Sequence, residues 1–382
     1  MPLQNDKSED DKMYKMMTPG PTMVAENVRQ ARSIPTGNPD LDLDFYDYYK
    51  DTCELYSGLL HTHNESLILS GEGILGLEAA IASITEANDR VLVLDNGVFG
   101  KGFADFVKIY GGNPVLYTTD YREEIDVAKL SDYLEKNHDF KYATVVHCDT
   151  PSGMLNDIAK ICPLLKKYGI LTVVDSVSGM FGNEVDVDHS QIDILCGGSQ
   201  KAISCPIGLT LVTVSEDAKK IMENRKTPIP SFYANLMIFK DYYKNKWFPY
   251  SMPISDIYGL RQALENIKAD TDMIKRHKEI ADKTRKALIR SGISLYARNG
   301  YSNTVTVFSI PGSVTAEDIL KIMRKEHNIL LAGSFDVMAG EVIRIGHMGY
   351  NCNEDNMKLT LVALNDTFQK LQVPLKEKLE YR

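Results

Sequence analysis

The feature that most constrains the fold is an alternation, from residue 66 to about residue 215, of short apolar runs with segments of helical period. SLIL (66–69), VLVLD (91–95), PVLYT (114–118), ATVVH (143–147), ILTVVD (170–175), IDILC (192–196) and LTLVTV (209–214) each place apolar side chains at consecutive positions. Consecutive strand residues face opposite sides of a sheet, so such runs are buried on both faces. Between them, Ile74, Leu77, Ile81 and Ile84 recur at helical spacing, as do Phe103, Phe106, Val107 and Tyr110. Further helices are expected from near Asp126 and over 157–168, where Pro163 either kinks the helix or delays its start. Strands covered on both faces by helices make a mostly parallel sheet. The fold class is α/β.

Beyond residue 215 the pattern changes. Residues 225–253 are rich in aromatics and proline, and 254–290 reads as one long helix. A strand (304–310), a helix (315–327), a strand (341–346) and a helix (353–371) then form a smaller α+β unit. The chain has 382 residues, and single domains usually run to about 100–200. The expected division is a charged tail at 1–17, a large α/β domain at 18–265 and a small α+β domain at 266–382.

Composition excludes several classes. The net charge is −9 and no basic stripe offsets it, so no nucleic acid is expected as partner. No run approaches the ~18 apolar residues of a membrane span, and the polar N-terminus lacks the apolar core of a signal peptide. The six cysteines are scattered with no CxxC pair, which reads as reduced thiols in a cytoplasmic protein. His61 and His63 stand two apart without a third ligand nearby, so no metal site is expected.

Residues 71–76 read GEGILG, a GxGxxG after a strand and before a helix, with Asp95 ending the next strand. Taken alone this suits an NAD-dependent oxidoreductase. Its physical content is narrower. A glycine-rich turn at a helix N-terminus offers free N–H groups and a positive dipole end to any phosphate. The sharper signal is VVDSVSGMFG (173–182) followed by DILCGGSQKAISCPIGLTLV (193–212). Asp175 closes one apolar strand and Lys201 follows another, which puts both at the carboxyl edge of the sheet, where open α/β sheets bind ligands. An acid and a lysine there make either an ion pair or a cofactor site. Joined to a phosphate turn, they are the parts that pyridoxal 5′-phosphate (PLP) needs, an acid for the pyridine nitrogen and an amine for the aldehyde. Phe99, after the next strand, can stack on the ring or simply pack.

With TPGPT (18–22), VDSVSGMFG, GSQKAISCPIG and VIRIG (342–346) taken together, the sequence resembles the class V aminotransferases of PLP fold type I. That group holds the alanine–glyoxylate, serine–pyruvate and 2-aminoethylphosphonate–pyruvate enzymes. The resemblance implies a large mostly parallel sheet domain plus a smaller C-terminal domain, and PLP as cofactor. It makes Lys201 the Schiff-base lysine and proton carrier, and Asp175 the partner of the pyridine nitrogen. Thr150 touches the ring substituents and Phe99 stacks. The turn residues Glu72, Gly73 and Ile74 hold the phosphate through backbone N–H groups, assisted by Gln200. It further implies a homodimer in which Ser251 reaches the partner's phosphate site. Arg344 grips the substrate carboxylate, and Gly20 lies at the substrate. The expected reaction moves an amino group from a small alanine- or serine-like donor to a small 2-oxo acid such as glyoxylate or pyruvate.

Two residues depart from the family pattern. Glu72 stands where Ser or Thr is usual, and a carboxylate repels phosphate, so it is expected to point elsewhere and lend only its backbone. Phe248 stands where relatives often carry a tyrosine hydroxyl. The alternative readings are a 2-aminoethylphosphonate–pyruvate aminotransferase and, from another class, the NAD-dependent oxidoreductase. A cysteine desulfurase is disfavoured because LAGSFDVMAGE (331–341) holds no cysteine.

Overall fold

The computed structural model describes residues 14–312 and 314–382. The chain starts with strand β1 (Lys15–Met16) and helices α1 (Glu26–Arg32) and α2 (Leu43–Leu59). The alternation follows as β2 (Glu65–Ser70), α3 (Gly73–Ile84), β3 (Arg90–Asp95), α4 (Val98–Ile109), β4 (Asn113–Thr118), α5 (Val127–Lys136), β5 (Tyr142–Val146), α6 (Ile158–Lys167), β6 (Leu171–Asp175), β7 (Ile194–Gly198) and β8 (Leu209–Val214). All seven apolar runs are strands of one seven-stranded sheet, ordered β2-β8-β7-β6-β5-β3-β4.

The sheet is parallel from β7 through β4, whereas β8 runs antiparallel to both its neighbours. The cause is the short stretch 199–208 between β7 and β8. A parallel return needs a crossover of roughly a dozen residues or more, usually with a helix. Pro163 lies inside α6, which starts at once after its N-cap Asp157, so the helix is not delayed.

After β8 comes α7 (Glu216–Glu223), and the long helix expected over 254–290 is two: α8 (Ile254–Ala269) and α9 (Met273–Arg290). Asp270, Thr271 and Asp272 break it. Asp and Thr form helix poorly because their side chains bond locally, and the Asp270 carboxylate is drawn out to the guanidinium of Arg276. Within the expected tail, residues 1–13 lie outside the described residues, while Lys15 and Met16 are strand and Met17 is fully buried.

The C-terminal elements are β9 (Val305–Ser309), α10 (Ala316–His327), β10 (Ile329–Leu330), β11 (Val342–Gly346) and α11 (Glu354–Lys370). β9 pairs antiparallel with β11, and β1 pairs parallel with β10. Ile343 and Ile345 are fully buried in an apolar cluster with Phe308, Ile319, Met323, Leu361 and Phe368. A larger cluster fills both faces of the main sheet. Truncating Ile345 to alanine should cost about 2–5 kcal/mol, read as a lower urea midpoint of the pure protein. An unchanged midpoint would show that β11 is not anchored by this face.

Candidate active site

Asp175 ends β6, and its backbone partner across the parallel ladder is Cys196 of β7, so Lys201 follows from the adjacent strand end. Both therefore meet at the carboxyl edge of the sheet. Asp175 is buried, and its Oδ1 accepts the Val177 N–H at 2.9 Å. Burial raises its pKa to about 7, against that hydrogen bond and the nearby Lys201 charge. Loss of water around the part-buried Lys201 amine, then the positive Arg344, lower its pKa to about 8. Neither group satisfies the other as a close ion pair.

A strap from the N-terminal segment closes over the lysine. Lys201 Nζ donates to Pro19 O at 2.6 Å, and Thr22 N–H to Gln200 O at 3.1 Å. Gly20 lies against the lysine stem, where a Cβ would stand 2.3 Å from Lys201 Cδ, and its φ is +89°. Space and backbone conformation both require glycine there.

Phe99 and Thr150 are fixed by groups that the sequence reading did not single out. Asp149, fully buried, accepts the Phe99 N–H at 3.0 Å and the Ser152 hydroxyl at 2.6 Å. Burial raises the Asp149 pKa, opposed by those bonds and by Arg344. The Thr150 hydroxyl is hydrogen-bonded to that of Ser178. The signal for Asp149 was its place beside Thr150 in HCDTPSG; nothing in the spacing marked its partners.

Arg344 projects from β11 away from its isoleucine neighbours. Its Nε donates to Gly333 O at 2.6 Å, and its guanidinium stands 5.6 Å from the Phe335 ring centre. Phe335 in turn meets Phe99 edge-on at 6.0 Å. Burial lowers the Arg344 pKa to about 10, and Asp149 pulls it back up. So Lys201, Asp175, Asp149 and Arg344 lie within electrostatic reach of one another.

The phosphate turn differs from expectation. Glu72 does not point elsewhere. It is the N-cap of α3, with Oε1 accepting the Ile74 N–H at 3.2 Å and Oε2 accepting Gln200 Nε2 at 3.2 Å. A carboxylate at a helix N-terminus takes the orphan donors and the positive end of the dipole, which is the physical reason for the turn-back. Gly73 packs on Val177 and on Gly198, with no room for a side chain. Ser251 lies apart from the cluster; it is exposed and its hydroxyl donates to Asp40 at 2.9 Å. Phe248 is buried, stacked 4.5 Å from Tyr46 of α2, and so belongs to the core.

The pyridine end of PLP fits this arrangement. A buried acid short of a cation, an amine held largely free of ion pairing and a glycine-walled approach suit the ring and aldehyde. Lys201, Asp175, Phe99 and Thr150 would hold them, and the bound group would supply an electron sink for charge at the substrate carbon. The oxidoreductase alternative does not hold. Asp95 is buried, with its two oxygens taken by Thr118 (2.9 Å) and Tyr121 (2.6 Å).

Comparison with known proteins agrees. The family model "Aminotransferase class-V" matches residues 36–359. An uncharacterized aminotransferase of Methanocaldococcus jannaschii is 33% identical over 366 residues, covering 95% of this chain and 94% of its own. The pyridoxamine–pyruvate transaminase of Mesorhizobium japonicum is 31% identical over 315 residues, 81% and 80% of the two chains. The crystal structure of ureidoglycine–glyoxylate aminotransferase from Bacillus subtilis superposes with a TM-score of 0.92 at 26% identity, covering 96% of each chain. The chain belongs to the class V aminotransferase family of fold type I. It is a PLP-dependent aminotransferase.

A lysine with its pKa at about 8 is half unprotonated at that pH, whereas an ordinary lysine is almost wholly charged. In cofactor-free protein, capture of an added aldehyde by Lys201 should rise with pH and level off near about 8. Stopped-flow absorbance follows it. A rate still climbing above pH 10 would show the amine is not desolvated as described.

Proposed function

We propose that Lys201 and Asp175 act on the cofactor and that Arg344 holds the α-carboxylate of both the amino donor and the 2-oxo acid. The observation that carries this is the convergence of Arg344, from the C-terminal strand pair, on the Lys201–Asp175 strand ends. The freed Lys201 amine moves the proton between substrate carbon and cofactor. Asp175 keeps the pyridine nitrogen protonated, and a planar guanidinium binds carboxylate through two parallel hydrogen bonds. The names of the relatives supply the acceptors we favour, pyruvate and glyoxylate, with a small alanine- or serine-like donor.

Hydrogen bonds to charged groups contribute roughly 1.5–3 kcal/mol each. Losing the pair in Arg344→Ala should lower kcat/KM on the order of a hundredfold or more, since ~1.4 kcal/mol is a factor of ten. The loss should appear in single-turnover assays of both half-reactions, with alanine or serine and with pyruvate or glyoxylate. Wild-type efficiency in both would place the carboxylate grip elsewhere.

We further propose a homodimer, with the large α/β domain ending near 265 and the protein in the cytoplasm. Among the described residues, no helix is long and apolar enough to cross a membrane, and all six cysteines are free and buried. Leu41, Leu43, Phe232, Tyr233 and Trp247 are more than half exposed. Phe232, Tyr233 and Trp247 belong to the aromatic, proline-rich segment that the resemblance sets against a partner, and Leu41 and Leu43 follow Asp40, which accepts the Ser251 hydroxyl. Leu41→Glu, at a side chain 77% exposed in the single chain, should leave the fold intact yet shift light scattering toward monomer. A fully active wild-type monomer would contradict the dimer.

A further inference from the structure

The cofactor reading leaves one group without a role. Glu72 sits at the N-terminus of α3 with its carboxylate turned into the turn itself. Two of the donors that a phosphate would use there are already committed to an acceptor. The Ile74 N–H goes to Glu72 Oε1 and the Gln200 amide to Glu72 Oε2. The Ser251 hydroxyl, assigned to a phosphate across an interface, goes to Asp40. Three expected phosphate donors thus serve carboxylates. The Gln200 amide is fixed in orientation by its bond to Glu72, and its remaining atom, Oε1, is a buried acceptor without a partner.

An anion-binding turn normally presents N–H groups to its ligand. This turn presents acceptors in place of two of them. A dianionic phosphate has no proton to give an acceptor and meets a like charge at the helix end. A neutral hydroxymethyl group has a proton to give, fits against a carboxylate and needs no countercharge. We propose that Glu72 tunes the 5′ end of the pocket toward hydroxyl, so that phosphate-free pyridoxal vitamers compete with the phosphorylated cofactor for Lys201. The inference rests on the assignment of Lys201 and Asp175 to the ring end, and it adds the chemical class taken at the other end.

The test reads binding rather than turnover. Purified protein is incubated with an excess of an equimolar mixture of pyridoxal and PLP, reduced with borohydride, and the Lys201 peptide is weighed by mass spectrometry. The ratio of phosphate-free to phosphorylated adduct is the readout. Glu72→Ser restores a neutral N-cap that suits the helix, and Glu72→Gln keeps the length while removing the charge. Wild-type protein should carry both adducts in comparable amount, and Glu72→Ser should move the ratio about tenfold or more toward the phosphorylated form. Glu72→Gln should move it the same way, and carries the test if the serine variant does not fold by circular dichroism. A wild-type adduct that is almost wholly phosphorylated overturns the proposal, as does a smaller shift in the folded variants. Absence of both adducts from Lys201 would instead overturn the cofactor assignment, and this proposal with it.

Discussion

The site depends on taking charged groups out of water at the ends of neighbouring strands without letting them neutralise one another. Desolvation is the leading influence on Asp175, Lys201, Asp149 and Arg344 alike. Removing charges from water is costly, and partners usually repay it. Here the partners are mostly single backbone groups: Val177 N–H for Asp175, Pro19 O for Lys201, Gly333 O for Arg344. Such groups orient a side chain without satisfying its charge. The unmet remainder is what a cationic ring nitrogen, an aldehyde and a carboxylate can supply. With the roles proposed for these residues, binding and catalysis would draw on instability that the sheet's own burial creates.

Much of this was legible because the strands are apolar at every position. A run such as VVD or DILC fixes where the strand stops, and so where the next polar residue must emerge. Asp175 and Lys201 were found that way. Arg344 was legible only through the resemblance that VIRIG carries; the structure adds that Ile343 and Ile345 face one core. The pairing of the strap at 15–22 was not legible, although the resemblance set its Gly20 at the substrate. Its pairing with β10 joins residues more than 300 apart in sequence, and nothing local in KMMTPGPT encodes a partner at that distance. The break at Asp270 escaped periodicity for a related reason, since its cause is a carboxylate reaching Arg276 rather than a proline or glycine.

Glu72 shows a different limit. Its residue type announced a conflict with phosphate, but the sequence alone favoured a side chain swung away from the turn. What decided otherwise is the energetics of a helix end. The first N–H groups of α3 lack helical partners, and a carboxylate one residue upstream is well placed to take them. Gln200, on the loop after β7, then closes the other side of the carboxylate. A local cap and a long-range bond act together, and either alone would leave the side chain freer to leave.

The strap also explains how residues from two apolar clusters come to share one site. Met17 O accepts the Gly346 N–H at 2.7 Å, and two residues later Pro19 O accepts Lys201 Nζ. Two residues of extended chain span at most about 7 Å. The end of β11 and the lysine amine are thus tied to one another through a very short length of backbone. Gly346 permits it, since a Cβ there would fall 2.0 Å from Thr18 O. Arg344 lies two residues before Gly346 on the same strand, so its side chain leaves on the same face. The strap thus ties the end of β11, which carries Arg344, to the Lys201 amine by a route much shorter than the connection through α8 and α9. Other bonds from the C-terminal segment reach the same loops, Tyr350 N–H to Ser204 Oγ at 2.8 Å and the Thr304 hydroxyl to Ser178 O at 2.8 Å, so the strap acts together with them in holding Arg344 near Lys201.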